Sequence, residues 1–115
     1  MKIPKKIKIG GLTYTVEETE NIVLGCDYNA EILYESQKIN IRPTLGKQQK
    51  QRTLIHEIVH GIYDNLGYSK HDEKVIDEMA GALYALIVDN PEMFTSEAEE
   101  PYKQGRNVTQ EKQEG

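Results

Sequence analysis

The residues best suited to chemistry lie in one short run, His56-Glu57-Ile58-Val59-His60. On an α-helix, positions i and i+4 share a face, so both imidazoles can point at one ion. Zinc takes such nitrogens at about 2.0–2.1 Å. Glu57 follows the first histidine and is not itself expected on the metal. Its carboxylate would accept a proton from a zinc-bound water and later pass it to a leaving amine. Two of the chain's three histidines fall in this motif, with apolar residues between them, as a helix packed on a core requires.

A hydrolytic zinc site needs a third protein ligand and an open fourth position. The residue six positions past the motif is Leu66, so a third histidine there is excluded. The remaining candidates are His71, Glu73, Asp77 and Glu78. Glu73, Ile76, Asp77, Ala80, Leu83/Tyr84 and Ile87 recur at helical spacing, which places both acids on a stripe expected to pack inward. Glu78 lies about 140° from Glu73 around the axis and is expected in solvent. Acids on an inward face are costly unless paired or metal-bound. Glu73 is therefore assigned as the third ligand, and Asp77 as the acceptor of a ring N–H from a metal-bound histidine. Asp77 as direct ligand is the alternative. His71 is expected exposed in a loop, with a ligand or donor role open to it. Tyr63, Tyr84 and His71 are the candidate donors to a developing oxyanion.

These residues need elements to hold them. Leu54, Ile55, Ile58, Val59, Ile62 and Leu66 mark a first helix from about Gln48 to Leu66, with Gly67 as its stop. A second helix is predicted from about Asp72 to Asp89, capped by Asp72 and terminated by Asn90-Pro91. Upstream, Gly10-Gly11 between alternating apolar runs reads as a β-hairpin. Ile22–Asn29 could begin a third strand, and "KINIRP" (38–43) ends at a proline. The expectation is an α+β fold, a small antiparallel β-meander followed by two helices, in one domain over 1–94. "KINIRP" is also the candidate sheet edge for binding an extended peptide. Residues 95–115 are polar and aperiodic and read as a disordered tail.

Composition bounds the rest. The 115 residues carry a net charge of −5, which disfavours a nucleic-acid binder working through a broad basic surface. The single cysteine, Cys26, excludes an intrachain disulfide and is expected at least half-buried. No apolar run of signal-peptide or membrane-spanning length is evident, so the expectation is a cytoplasmic protein without a membrane partner.

At "TLIHEIVHGIYDNLGY…DEKVIDEMAGALYALIVDNPEMF" the chain resembles small phage- and prophage-encoded zincin-like metallopeptidases. These are loosely related to the ImmA/IrrE-type and SprT-type zinc peptidases of the gluzincin kind. The resemblance spans roughly residues 23–94, and its specific parts are "TLIHEIVH", the acid pair in "EKVID" and "DNPEMF". It implies Zn2+ as cofactor, a protein or peptide substrate, and a helix bearing E-x-x-x-D. In that pattern the glutamate binds zinc and the aspartate supports a zinc histidine, positions that Glu73 and Asp77 match. The interval from His60 to Glu73 is short for the pattern, and nothing matches a second domain closing a cleft. The function so implied is hydrolysis of peptide bonds in a specific regulatory protein. The alternative is an inactive, zinc-stabilised phage protein acting as a protein-binding module.

Overall fold

The structure is a computed structural model and describes residues 1–95. The tail read from composition lies, from residue 96 on, outside the described residues. The fold class is α+β as expected: four strands, β1 (Lys6–Ile9), β2 (Leu12–Glu18), β3 (Ala30–Leu33) and β4 (Lys38–Ile41), then α1 (Lys47–Asn65) and α2 (Glu73–Asp89). Gly10 and Gly11 adopt φ of 58° and 88°. Positive φ at both central residues is what a two-residue hairpin between right-twisted strands demands, and β1 pairs antiparallel with β2 across it.

The sheet differs from a simple meander. Its order is β1-β2-β4-β3, with β4 parallel to β2 and antiparallel to β3. Ile39 and Ile41 of β4 are fully buried, so the most buried strand takes a central place with neighbours on both sides. The expectation that 38–43 forms a free edge is thereby corrected. The edge strand on that side is β3, reached when the segment after β2 carries the chain past β4.

That segment is a loop, not the third strand predicted for Ile22–Asn29. Side chains, rather than a neighbouring strand, take up its backbone groups. The Glu31 carboxylate accepts the N–H groups of Val23 (2.8 Å) and Leu24 (2.9 Å). The Arg42 guanidinium donates to the carbonyls of Tyr28 (2.6 Å) and Gly25 (3.1 Å). Cys26 sits in this loop and is exposed, against the expectation of a buried thiol.

The core of Ile9, Tyr14, Val16, Ala30, Ile39 and Ile41 is closed by Leu54 of α1. One residue past His60, a Cβ on Gly61 would lie 2.8 Å from Ile9 Cδ1 and 3.1 Å from Ile32 Cδ1. The absence of a side chain there lets α1 ride close to the sheet and fixes the height of the neighbouring histidine. The helix ends with Gly67 at φ 98°, where Gly67 N–H donates to Asp64 O and Tyr68 N–H to Tyr63 O, both at 3.0 Å. These paired bonds satisfy carbonyls that the helix end would otherwise orphan.

Asp72 caps α2 as predicted, its Oδ1 accepting Lys74 N–H at 3.0 Å and Val75 N–H at 3.4 Å. Ile76 and Ala80 are its fully buried residues. Two compact units are distinguishable, Met1–Tyr84 and the chain from Ala85 on. Among the described residues the second unit holds the end of α2 and a 3₁₀ turn, Pro91–Phe94, with Asn90 Nδ2 donating to Leu86 O at 3.0 Å. No helix among the described residues is long and apolar enough to cross a membrane.

Candidate metal centre

His56 and His60 project from one face of α1 toward the first turn of α2. His56 Nε2 lies 3.3 Å from Glu73 Oε1, and His60 Nε2 lies 2.9 Å from Glu73 Oε2. One ligand atom from each of the three residues falls within 4.8 Å of the others. Two imidazole nitrogens and a carboxylate make a donor set suited to zinc, and three protein ligands leave a coordination position open.

Glu73 and Asp77 come together with the histidines, but not as acids on a buried stripe. Their side chains are 69% and 53% exposed. Ile76 and Ala80 alone point fully inward, so the acids flank the seam and stand at its rim. Asp77 Oδ1 lies 3.3 Å from His56 Nδ1, the place expected for an acceptor that orients a ligand histidine. Glu78 is exposed, as predicted.

His71 lies in the loop before α2, as expected, but it is not exposed. It is half-buried, its ring edge to edge with that of His60, centroids 5.0 Å apart and planes 19° from parallel. Its Nδ1 lies 2.8 Å from His60 Nδ1, on the side of that ring facing away from Glu73's contact with Nε2. His71 is therefore beside the ligand cluster rather than in it.

Glu57 is 7% exposed. Burial, with added repulsion from Glu73 and then Glu31, pushes its pKa up to about 8. The imidazolium of His60 is disfavoured chiefly by burial, and also by His56 and His71, against the opposing pull of Glu73. A lowered pKa keeps its ring neutral, the form that binds a metal.

Two cavities meet at the motif, and Tyr28, Ala30, His56 and Glu57 line both. The larger, ≈ 480 Å³, extends toward Leu24, Ile32, Tyr34, His60 and Glu73. The smaller, ≈ 260 Å³, extends toward Asp27, Asn29, Gln49, Arg52 and Asp77. The floor along both includes β3, the edge strand.

Tyr34 is the residue the sequence reading missed. Burial, then the charges of Asp64 and Glu57, raise its phenol to about 12, so it stays a neutral donor at any ordinary pH. Of the tyrosines considered instead, Tyr84 donates its hydroxyl to Gln51 Oε1 at 2.8 Å. Tyr63 packs against Tyr68 and His71. No motif or spacing in the sequence marks Tyr34, which stands one residue past β3, the edge strand.

Compared with known proteins, the chain matches no family model, no curated protein and no solved structure.

Proposed function

We propose that the chain is a zinc-dependent, gluzincin-like metallopeptidase of the small phage-encoded kind that its motifs resemble. The observation that carries this reading is the convergence of His56 Nε2, His60 Nε2 and the Glu73 carboxylate beside a buried Glu57. His56, His60 and Glu73 would hold the zinc, which would supply Lewis acidity toward a peptide carbonyl and a water. Glu57 takes a proton from the attacking water and returns it to the leaving nitrogen as the C–N bond breaks. Tyr34, on the wall of the same cavity, donates to the carbonyl oxygen as charge builds there.

The substrate is an extended segment of one protein, laid along β3 with side chains in the two flanking cavities. The short edge strand, unpaired on its outer side among the described residues, supports this over the central β4. The three-ligand geometry supports catalysis over a purely structural site, which would be closed by a fourth protein ligand.

The test is metal content and peptide hydrolysis of wild type beside Glu57→Gln. About one zinc per chain in both, with cleavage only in wild type, is the expected result. Zinc in both with no cleavage of any protein offered, while a peptide still protects the amides of Ala30–Leu33 from exchange, would replace the enzyme by the binding module. A wild type that takes up no zinc would remove the reading altogether.

A further inference from the structure

His71 has two polar contacts, and together they determine where its protons sit. Its Nε2 lies 2.8 Å from the carbonyl oxygen of Tyr68, and its Nδ1 lies 2.8 Å from Nδ1 of His60. A carbonyl can only accept, so His71 Nε2 must carry the hydrogen. Neutral His71 then has a lone pair on Nδ1, and His60 Nδ1 must donate to it. The proton of neutral His60 is thereby held on Nδ1, which leaves the Nε2 lone pair for an ion shared with the Glu73 carboxylate, whose Oε2 lies 2.9 Å away. The Tyr68 carbonyl is itself held by the end of α1, where Tyr68 N–H is tied to Tyr63 O and Gly67 makes the turn.

We infer that His71 is the positioning residue for His60, setting its tautomer and ring plane for metal binding, and that the turn closing α1 anchors this relay. The assignment rests on the metal site proposed above. It gives each ligand histidine its own partner: Asp77 for His56 and His71 for His60. The two rings meet edge to edge, 19° from parallel, and Tyr63, edge-on to His71 at 5.6 Å, packs against the His71 ring and limits its rotation. A carboxylate is the stronger acceptor. A neutral imidazole beside a half-buried ring performs the same alignment without adding negative charge next to Glu57 and Glu73.

The experiment measures zinc affinity by chelator competition for wild type, His71→Ala and His71→Asn. Imidazole ¹⁵N spectra and X-ray absorption are recorded on the zinc-loaded proteins. Removal of such a partner typically weakens metal binding about ten- to a hundredfold, the loss expected in His71→Ala. Asparagine can present a side-chain oxygen near the position of Nδ1, so His71→Asn is expected to recover most of the affinity. The ¹⁵N spectrum of wild type should place the His60 proton on Nδ1, with two imidazoles on the metal.

Equal affinity in wild type and His71→Ala overturns the assignment while leaving the metal site intact, whereas a His60 proton on Nε2 would take His60 off the metal and overturn both. Three imidazoles on zinc in wild type and two in His71→Ala would make His71 a ligand instead. A wild type that holds no zinc overturns the metal site and this inference together. Circular dichroism monitors the fold, and if His71→Ala loses helix, the wild-type ring spectra and His71→Asn decide the question.

Discussion

Asp77 Oδ1 stands between two nitrogen partners, 3.3 Å from His56 Nδ1 and 3.5 Å from Arg52 Nη1. The Arg52 contact is exposed and contributes little to stability. The histidine contact keeps the proton of His56 on Nδ1 and leaves Nε2 free to face Glu73. Asp77→Asn should therefore weaken zinc binding about ten- to a hundredfold while changing the melting temperature of metal-free protein little. Glu73→Ala should cost more, because it removes a ligand. Chelator competition on the two variants measures both, and an Asp77→Asn loss exceeding that of Glu73→Ala would exchange their roles.

The raised pKa of Glu57 makes the metal-free protein sensitive to alkali. In the fold this group titrates near 8, above its ordinary 4.5, so the folded state holds its proton more tightly than the unfolded chain. The contribution to stability is fully present below about 4.5 and is lost as pH rises through 8, on the order of a few kcal/mol. Urea unfolding of metal-free wild type and Glu57→Gln at pH 5 and pH 8.5 should show the wild type losing ground to the variant at the higher pH. A gap independent of pH would contradict the assigned burial.

Glu31 behaves in the opposite sense. Burial pushes its pKa up, but hydrogen bonds from Asn40 and from the N–H groups of Val23 and Leu24 prevail and hold it below the ordinary value. Its contribution is present above the ordinary carboxyl range and disappears as pH falls through the lowered folded value. Glu31→Gln cannot accept all three donors and should destabilise by about 1–3 kcal/mol. Amide exchange at Val23 and Leu24 should accelerate in the variant. Unchanged rates would mean that Arg42 alone holds the loop.

Tyr34→Phe tests the oxyanion role. Losing one such donor typically lowers kcat by about 10²–10³, and zinc content should be unaffected because the phenol is no ligand. Steady-state kinetics beside metal analysis separates this from a packing defect. Full activity in Tyr34→Phe would return the role to water or to another donor.

The legible parts of this protein are those written in local period. The helical spacing around His56 and His60, the Asp72 cap and the Gly67 stop all depend on neighbours within a turn or two. So does the placement of Glu73 and Asp77 one turn apart. The loop after β2 was misread as strand because its conformation is held from a distance, by Glu31 and Arg42. The central place of β4 was hidden for a related reason: alternation reports which face a residue occupies, not which strand lies alongside. His71 is legible as a loop residue, but its contact with His60 is not, because that depends on where the end of α1 places the Tyr68 carbonyl. The acids were found by helix arithmetic, although they turn out to stand at a rim and not in an interior.

The division of ligands between two helices has a consequence for the life of the protein. The histidines come from α1 and Glu73 from the start of α2, whose fully buried residues are only Ile76 and Ala80. An ion held by all three would fasten the two helices and close the intervening turn into a ring. Its binding energy would then also be folding energy. Limited proteolysis with and without zinc should find the cleavage sites that appear on metal removal concentrated between Leu66 and the first turns of α2, before the sheet is attacked. A cell short of zinc would then clear this protein by degradation, so that metal supply sets its abundance as well as its activity.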